Sequence, residues 1–254
     1  MMFKNKCLYV LATAFGFAGL QPSAVAQTPR LSAVTTQPAI NNFAVTATNT
    51  SYADMADLVV SAPLIVDVTI RKLTKVPATQ AVGVPAHLQR HLVEADVTAL
   101  LRGVDGIGGK IRFLLDVPLD AKGKLPKLKK QRYFLFANKV ANMPGTIRLV
   151  KPNALAQWSA SNDALVRAIT REAVQVDAPQ AVTGVTNAFH SAGSVPGEGD
   201  TQIFLSSTGG QPYSISIASR SGQPKRWSVS TSELIEEGAS APKRQTLIWY
   251  RLAC

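Results

Sequence analysis

Hydrophobic and polar positions alternate from Leu64 onward. In LIVDVTIRKLTKV, Ile65, Asp67, Thr69 and Arg71 fall on one side of an extended chain, and Val66, Val68, Ile70 and Leu73 on the other. HLVEADVTALL repeats the pattern, with Val93, Ala95, Val97, Ala99 and Leu101 opposite Glu94, Asp96 and Thr98. GKIRFLLDV, QRYFLFANKV and TIRLVKP follow, each bounded by Gly, Pro, Asn or Asp. Five strands without a helix long enough for a parallel crossover predict an antiparallel barrel of the oligonucleotide/oligosaccharide-binding (OB-like) type, or a two-sheet sandwich.

Helical spacing shows in two places. A short helix is predicted over Tyr52–Val60, with Ser51 as its cap and Asp54 in its first turn, ending before Pro63. A second is predicted from Asn162 to Val174, capped by Ser161 or Asn162, with Leu165, Val166, Ile169 and Ala173 as a partial apolar stripe. Beyond Asp177-Ala178-Pro179 the chain reads as strand again: VTGVTNAFHS, DTQIFLSST, PYSISIASR, RWSVSTSEL and the terminal QTLIWYRLAC. Gly209-Gly210 and Gly222-Gln223-Pro224 supply tight turns, so these five candidates predict a β-meander. In LIWYRLAC, apolar residues on both faces predict a packed last strand, with Trp249 and Tyr250 as core or cross-strand residues.

The predicted organisation is therefore mainly β, with two small antiparallel modules joined by one helix. A signal peptide covers 1–26, a flexible leader 27–50, the barrel-like domain 51–158, the connecting helix 159–178 and the meander 179–254. The N-terminus supports the first division. MMFKNK is basic, CLYVLATAFGFAGL is uncharged and apolar, and Ala24-Val25-Ala26 fits a cleavage site after Ala26. The apolar run is shorter than the roughly 20 residues a membrane-spanning helix needs, so an exported protein, periplasmic or secreted, without a transmembrane segment is expected. Cleavage would leave 254 less 26 residues, or 228, and would lower the formal charge from +11 by Lys4 and Lys6 to +9. It would also remove Cys7 and leave Cys254 without an intrachain partner, which makes a disulfide-linked dimer through Cys254 an expectation.

The positive balance favours an anionic lipid, glycan or protein partner, and export disfavours nucleic acid. Its sharpest expression is KGKLPKLKKQR, where Lys122, Lys124, Lys127, Lys129, Lys130 and Arg132 occur without an acid. Between two strands they form a loop suited to electrostatic capture, or one that deters edge pairing. A weaker basic set, Arg220, Lys225 and Arg226, flanks Trp227. The other distinctive loop contains Pro196, Gly197, Glu198, Gly199 and Asp200, whose oxygens could serve calcium or a partner-binding turn.

Catalytic signals are sparse. No G-x-S-x-G elbow and no S-x-x-K occurs with its partner motifs. His87 and His91 are four apart near Glu94 and Asp96, but Leu88 stands where a zinc protease places its Glu. On a strand the two histidines would be about 13 Å apart and solvent-facing, too far apart for one ion. No metal and no cofactor is expected. Cys254, at a terminus beside a carboxylate, is a poor nucleophile. The expected function is an exported, non-enzymatic binding module. The alternatives are an envelope hydrolase or metal-dependent enzyme using His87, His91, Glu94 or Asp96, and an assembly factor whose partner completes a sheet edge.

Overall fold

β1 (Leu64–Lys75) carries the first module because it buries both of its faces. The structure, a computed structural model, describes residues 50–231 and 239–254. The expected signal peptide, the leader through Asn49 and the stretch 232–238 lie outside the described residues. On one face of β1, Val66, Val68 and Ile70 meet Val93, Phe113, Leu115 and Leu135 inside the barrel. On the other, Ile65 packs with Phe134 and Phe136 beneath the helices. That double burial explains a run of seven residues with no exposed position.

The strand order around β1 is β3 (Lys110–Pro118), β2 (Leu88–Arg102), β1, β4 (Arg132–Lys139), β5 (Ile147–Leu149), with β6 (Leu155–Gln157) also on β4. All of these ladders are antiparallel. Closure comes from β3 meeting the start of β5 in a parallel bridge between Arg112 and Thr146, where the Arg112 amide donates to Gly145 O at 2.8 Å. The result is a nearly closed, OB-like barrel, as the alternation predicts, rather than a sandwich.

Helices cover the outer face of β1 and β4. α1 (Tyr52–Ser61) starts at Ser51, whose hydroxyl accepts from the Asp54 amide at 3.1 Å, and stops at Ala62 before Pro63. α2 (Ala160–Ala173) begins earlier than the sequence suggests. Its cap is Ser159, which accepts from the Asn162 amide, while the Asn162 side chain donates to Gln157 O. Val166 and Ile169 are the fully buried members of its stripe.

The predicted terminal strand is a helix. α3 (Leu247–Ala253) is capped by Thr246 and leaves the second module to pack on the first. Leu247 and Tyr250, three apart and hence on one helical face, enter the core formed by α1 and α2. The Leu247 amide donates to Glu172 at 2.7 Å, Tyr250 donates to Asp57 at 3.0 Å, and Trp249 meets Tyr52 edge-on at 6.2 Å. Cys254 is the exposed cap of this helix, its amide donating to Tyr250 O.

The second module is an antiparallel meander of β7 (Val182–Ala192), β8 (Gly199–Ser207), β9 (Tyr213–Ser219) and β10 (Arg226–Ser230). Gly210 and Gly222 turn its hairpins at φ +77° and +70°, a region open to glycine. Tyr213, fully buried, ties the sheet to the end of the α2 connection by accepting from the Gln180 amide at 2.6 Å. Among the described residues no helix is long and apolar enough to cross a membrane.

Candidate functional site

The lysine-rich segment occupies the connection between β3 and β4, residues 119–131, and it is held in place at four points. The Asp120 carboxylate accepts from the amides of Lys122 and Lys124 at 2.8 and 2.7 Å, closing a tight turn with Gly123 at φ +70°. Leu128 inserts into the barrel core with 2% of its surface exposed. Lys130 takes φ +66°, rare for a residue with a side chain, and its amide donates to Ile70 O at 2.7 Å. The Ile70 amide returns a hydrogen bond to Gln131 O at 2.9 Å. Between these anchors Lys122, Lys124, Lys127, Lys129 and Lys130 are exposed. None of the ion pairs among the described residues involves them. Five positive charges are thus presented on a pinned backbone, none of them in an ion pair with a carboxylate among the described residues.

Arg132 separates from this group. It opens β4, and its guanidinium turns to Asp67, which is completely buried on the outer face of β1. Nε lies 2.8 and 3.1 Å from the two carboxylate oxygens, Nη2 lies 2.5 Å from Oδ2, and the guanidinium sits 4.3 Å above the Trp158 ring. The hydrogen bonds to Asp67 raise the Arg132 pKa above its ordinary value against the opposing effect of desolvation. Arg132 neutralises an internal acid, so the loop's free cations are the five lysines.

The Pro196–Asp200 turn is also committed internally. Glu198 accepts from the Ser221 amide at 2.9 Å, and Asp200 pairs with Arg220 at 3.0 Å. These contacts lock the β7–β8 turn to the β9–β10 turn and absorb one member of the second basic set. Gly199 lies in β8, and a side chain there would meet the His190 ring at 2.6 Å, so glycine is required by close approach. Among the described residues no group of three His, Cys, Asp or Glu side chains is arranged to hold a metal ion.

The histidines do not form a pair. His87 is exposed in the turn before β2, whereas His91 lies on the inward face of β2 with 2% exposure. The expectation that both face solvent fails for His91 because it shares the parity of Val93 and Ala95. Its Nδ1 lies 3.0 Å from Gln89 O.

Glu94 and Asp96 point outward, into an arrangement the sequence reading missed. Cross-strand register sets Glu94 between Lys72 and Arg112, and Asp96 opposite Lys110, with Arg71 donating to Asp96 at 2.8 Å. The ladder borders an open cleft of about 460 Å³, walled on its far side by Pro144 and Gly145 of the β4–β5 loop. Among the described residues no Ser, Thr, Cys or His lines the cleft. Both acids are engaged by cations, which favours a structural role in cross-strand pairing over proton transfer. The alternation of Lys110 and Arg112 against Ile111 and Phe113 was the available signal.

No protein-family model matches this sequence and no curated protein matches it, so the assignment of site residues rests on geometry alone.

Proposed function

We propose that this chain is an exported, non-enzymatic binding module that captures an anionic lipid surface of the envelope through Lys122, Lys124, Lys127, Lys129 and Lys130. The observation that carries the proposal is the pinned loop. Five exposed ammonium groups without a paired carboxylate among the described residues repel one another, and the anchors at Asp120, Leu128 and Ile70 hold them together regardless. A solvated loop serving only to keep the chain soluble needs no such anchoring. Juxtamembrane lysines contribute about 1 kcal/mol each at an anionic surface, so replacing three should cost about 3 kcal/mol, roughly a hundredfold in affinity.

The test is cosedimentation with vesicles carrying phosphatidylglycerol, compared with purely zwitterionic vesicles, across a salt series. Binding should require the anionic lipid, weaken steeply with salt, and fall by about that factor when Lys124, Lys127 and Lys129 become Gln. Unchanged binding by that triple variant, or binding indifferent to salt, would refute the assignment.

A further inference from the structure

The connection between β1 and β2 carries no Lys, Arg, Asp or Glu over residues 76–86, VPATQAVGVPA, although none of these residues is buried. It has a defined shape. Ala78–Gln80 form a single 3-10 turn, in which the Gln80 amide donates to Pro77 O at 2.9 Å. The Ala81 amide donates to Pro77 O at 3.1 Å, the Val84 amide to Ala81 O at 3.4 Å and the Leu88 amide to Pro85 O at 2.9 Å. Gly83 reverses the chain at φ +78°, and Val82 beside it is 82% exposed. Register brings this turn to the lysine loop. Leu88 at the start of β2 pairs with Pro118 at the end of β3, and the Leu119 amide donates to His87 O at 3.3 Å. Connections 76–87 and 119–131 therefore emerge side by side at one end of the barrel. In the lysine loop Leu125, between Lys124 and Lys127, is itself 38% exposed. The carboxylates flanking the two loops, Asp116 and Asp120, are held by Arg90 and by two amides of the Asp120 turn.

We infer that Val82 and Leu125 enter the boundary between headgroups and acyl chains of an anionic bilayer, while the lysines beside them hold its phosphates. The inference rests on the lysine assignment above and adds the mode of attachment, which is insertion rather than adsorption by charge alone. Charge selects the occupant. Apolar tips next to five lysines that enter no ion pair among the described residues match a surface that is anionic outside and apolar within. A bilayer of anionic lipid has that order. The backbone of the valine loop suits the same occupant. A peptide amide that leaves water without an acceptor is costly, and Gln80, Ala81 and Val84 have acceptors inside the loop, whereas Pro77 and Pro85 bring no amide at all. Taking most of a valine side chain out of water strengthens binding about tenfold. That contribution differs in kind from the lysines', because salt screens the attraction of ammonium to phosphate and leaves apolar burial in place.

Vesicles of phosphatidylglycerol brominated on its acyl chains test this with the purified protein. Val82→Trp should bind them with the parent's salt dependence, and the emission it adds over the parent should shift to the blue and be quenched by the bromines. Val104→Trp replaces a comparably exposed valine in the β2–β3 connection, at the opposite end of the barrel, and should bind without being quenched. Val82→Ser should bind about tenfold more weakly, with the slope of affinity against salt and the circular dichroism spectrum unchanged. A bound but unquenched Val82→Trp, equal quenching at both tryptophan positions, or full affinity in Val82→Ser would overturn the insertion. In each of those cases the lysine assignment would still stand if exchanging Lys124, Lys127 and Lys129 for Gln weakens binding. A parent that does not bind the anionic vesicles would overturn both.

Discussion

Replacing Arg132 by Met should destabilise the barrel far more than replacing any lysine of the adjacent loop. The Asp67 carboxylate is fully buried, and the Arg132 guanidinium approaches both of its oxygens at 2.5–3.1 Å. Deleting one partner of a buried pair leaves an uncompensated charge in a low-dielectric setting, at a cost of about 3–5 kcal/mol. That is a large fraction of the roughly 5–15 kcal/mol that stabilises a typical domain. Loss of the stacking on Trp158 adds to it. By the same reasoning, Asp67→Leu together with Arg132→Met removes the charge and its partner at once. The double variant should therefore recover most of the loss, giving a coupling energy of several kcal/mol. Urea titration followed by circular dichroism measures all four corners of the cycle, with Lys129→Ala as the exposed reference, expected within about 0.5 kcal/mol of the parent. Vesicle affinity of Arg132→Met, measured where it is folded, should match the parent. An Arg132→Met cost no larger than that of Lys129→Ala, or a double-variant cost equal to the sum of the singles, would show that the pair is not a buried charge and its compensation.

Two further outcomes follow from the helical layer. Leu247→Ala should cost about 2–5 kcal/mol, because the side chain is 1% exposed in the core of the first module. Hydrogen exchange should then speed up in α1 and α2, and faster exchange confined to β8–β10 would contradict the placement of α3. Alkaline pH should also loosen this layer. Burial, reinforced by the charge of Asp57 and the hydrogen bond to it, pushes Tyr250 up to about 12, and burial with Glu172 raises Tyr52 as well. A folded pKa above the unfolded value near 10 means that the stabilisation is complete below pH 10 and is lost as pH rises through about 12. For Tyr250 this amounts to about 3 kcal/mol in all, of which about 1.4 is gone by pH 11. The urea midpoint should decline from pH 9 to 11.5, and Tyr250→Phe should reduce the decline. A midpoint that stays flat would count against the burial argument.

Local pattern was sufficient wherever one physical requirement dominated. The period of two in 64–76 and 91–101 specified strands, because a half-buried sheet needs alternate residues inside. Ser51 and Pro63 bounded α1 because an amide needs an acceptor and a proline cannot donate. The same alternation carried the parity that puts His91 inside with Val93, against the expectation that it faces solvent. LIWYRLAC was ambiguous for the opposite reason. An eight-residue run apolar but for Arg251 satisfies a buried strand and a buried helix equally, although Thr246 carried a helix-start signal.

The candidate site divided along the same line. A run of lysines is a local fact, and its exposure follows from hydration of the ammonium group. The separation of Arg132 from that run was invisible, since its partner Asp67 lies 65 residues earlier in the chain and was legible only as one more polar position in an alternating strand. The pairing of Glu198 and Asp200 with the opposite turn, and the ladder around Glu94 and Asp96, likewise depend on strand register. Sequence by itself determined the strands other than β6, the first two helices and the distribution of charge, while misreading the terminal segment as a strand, because periodicity, capping and hydration act over a few residues. Only the tertiary structure decided which charges are neutralised and where the last helix docks, because each of those depends on residues that meet only when the chain has closed.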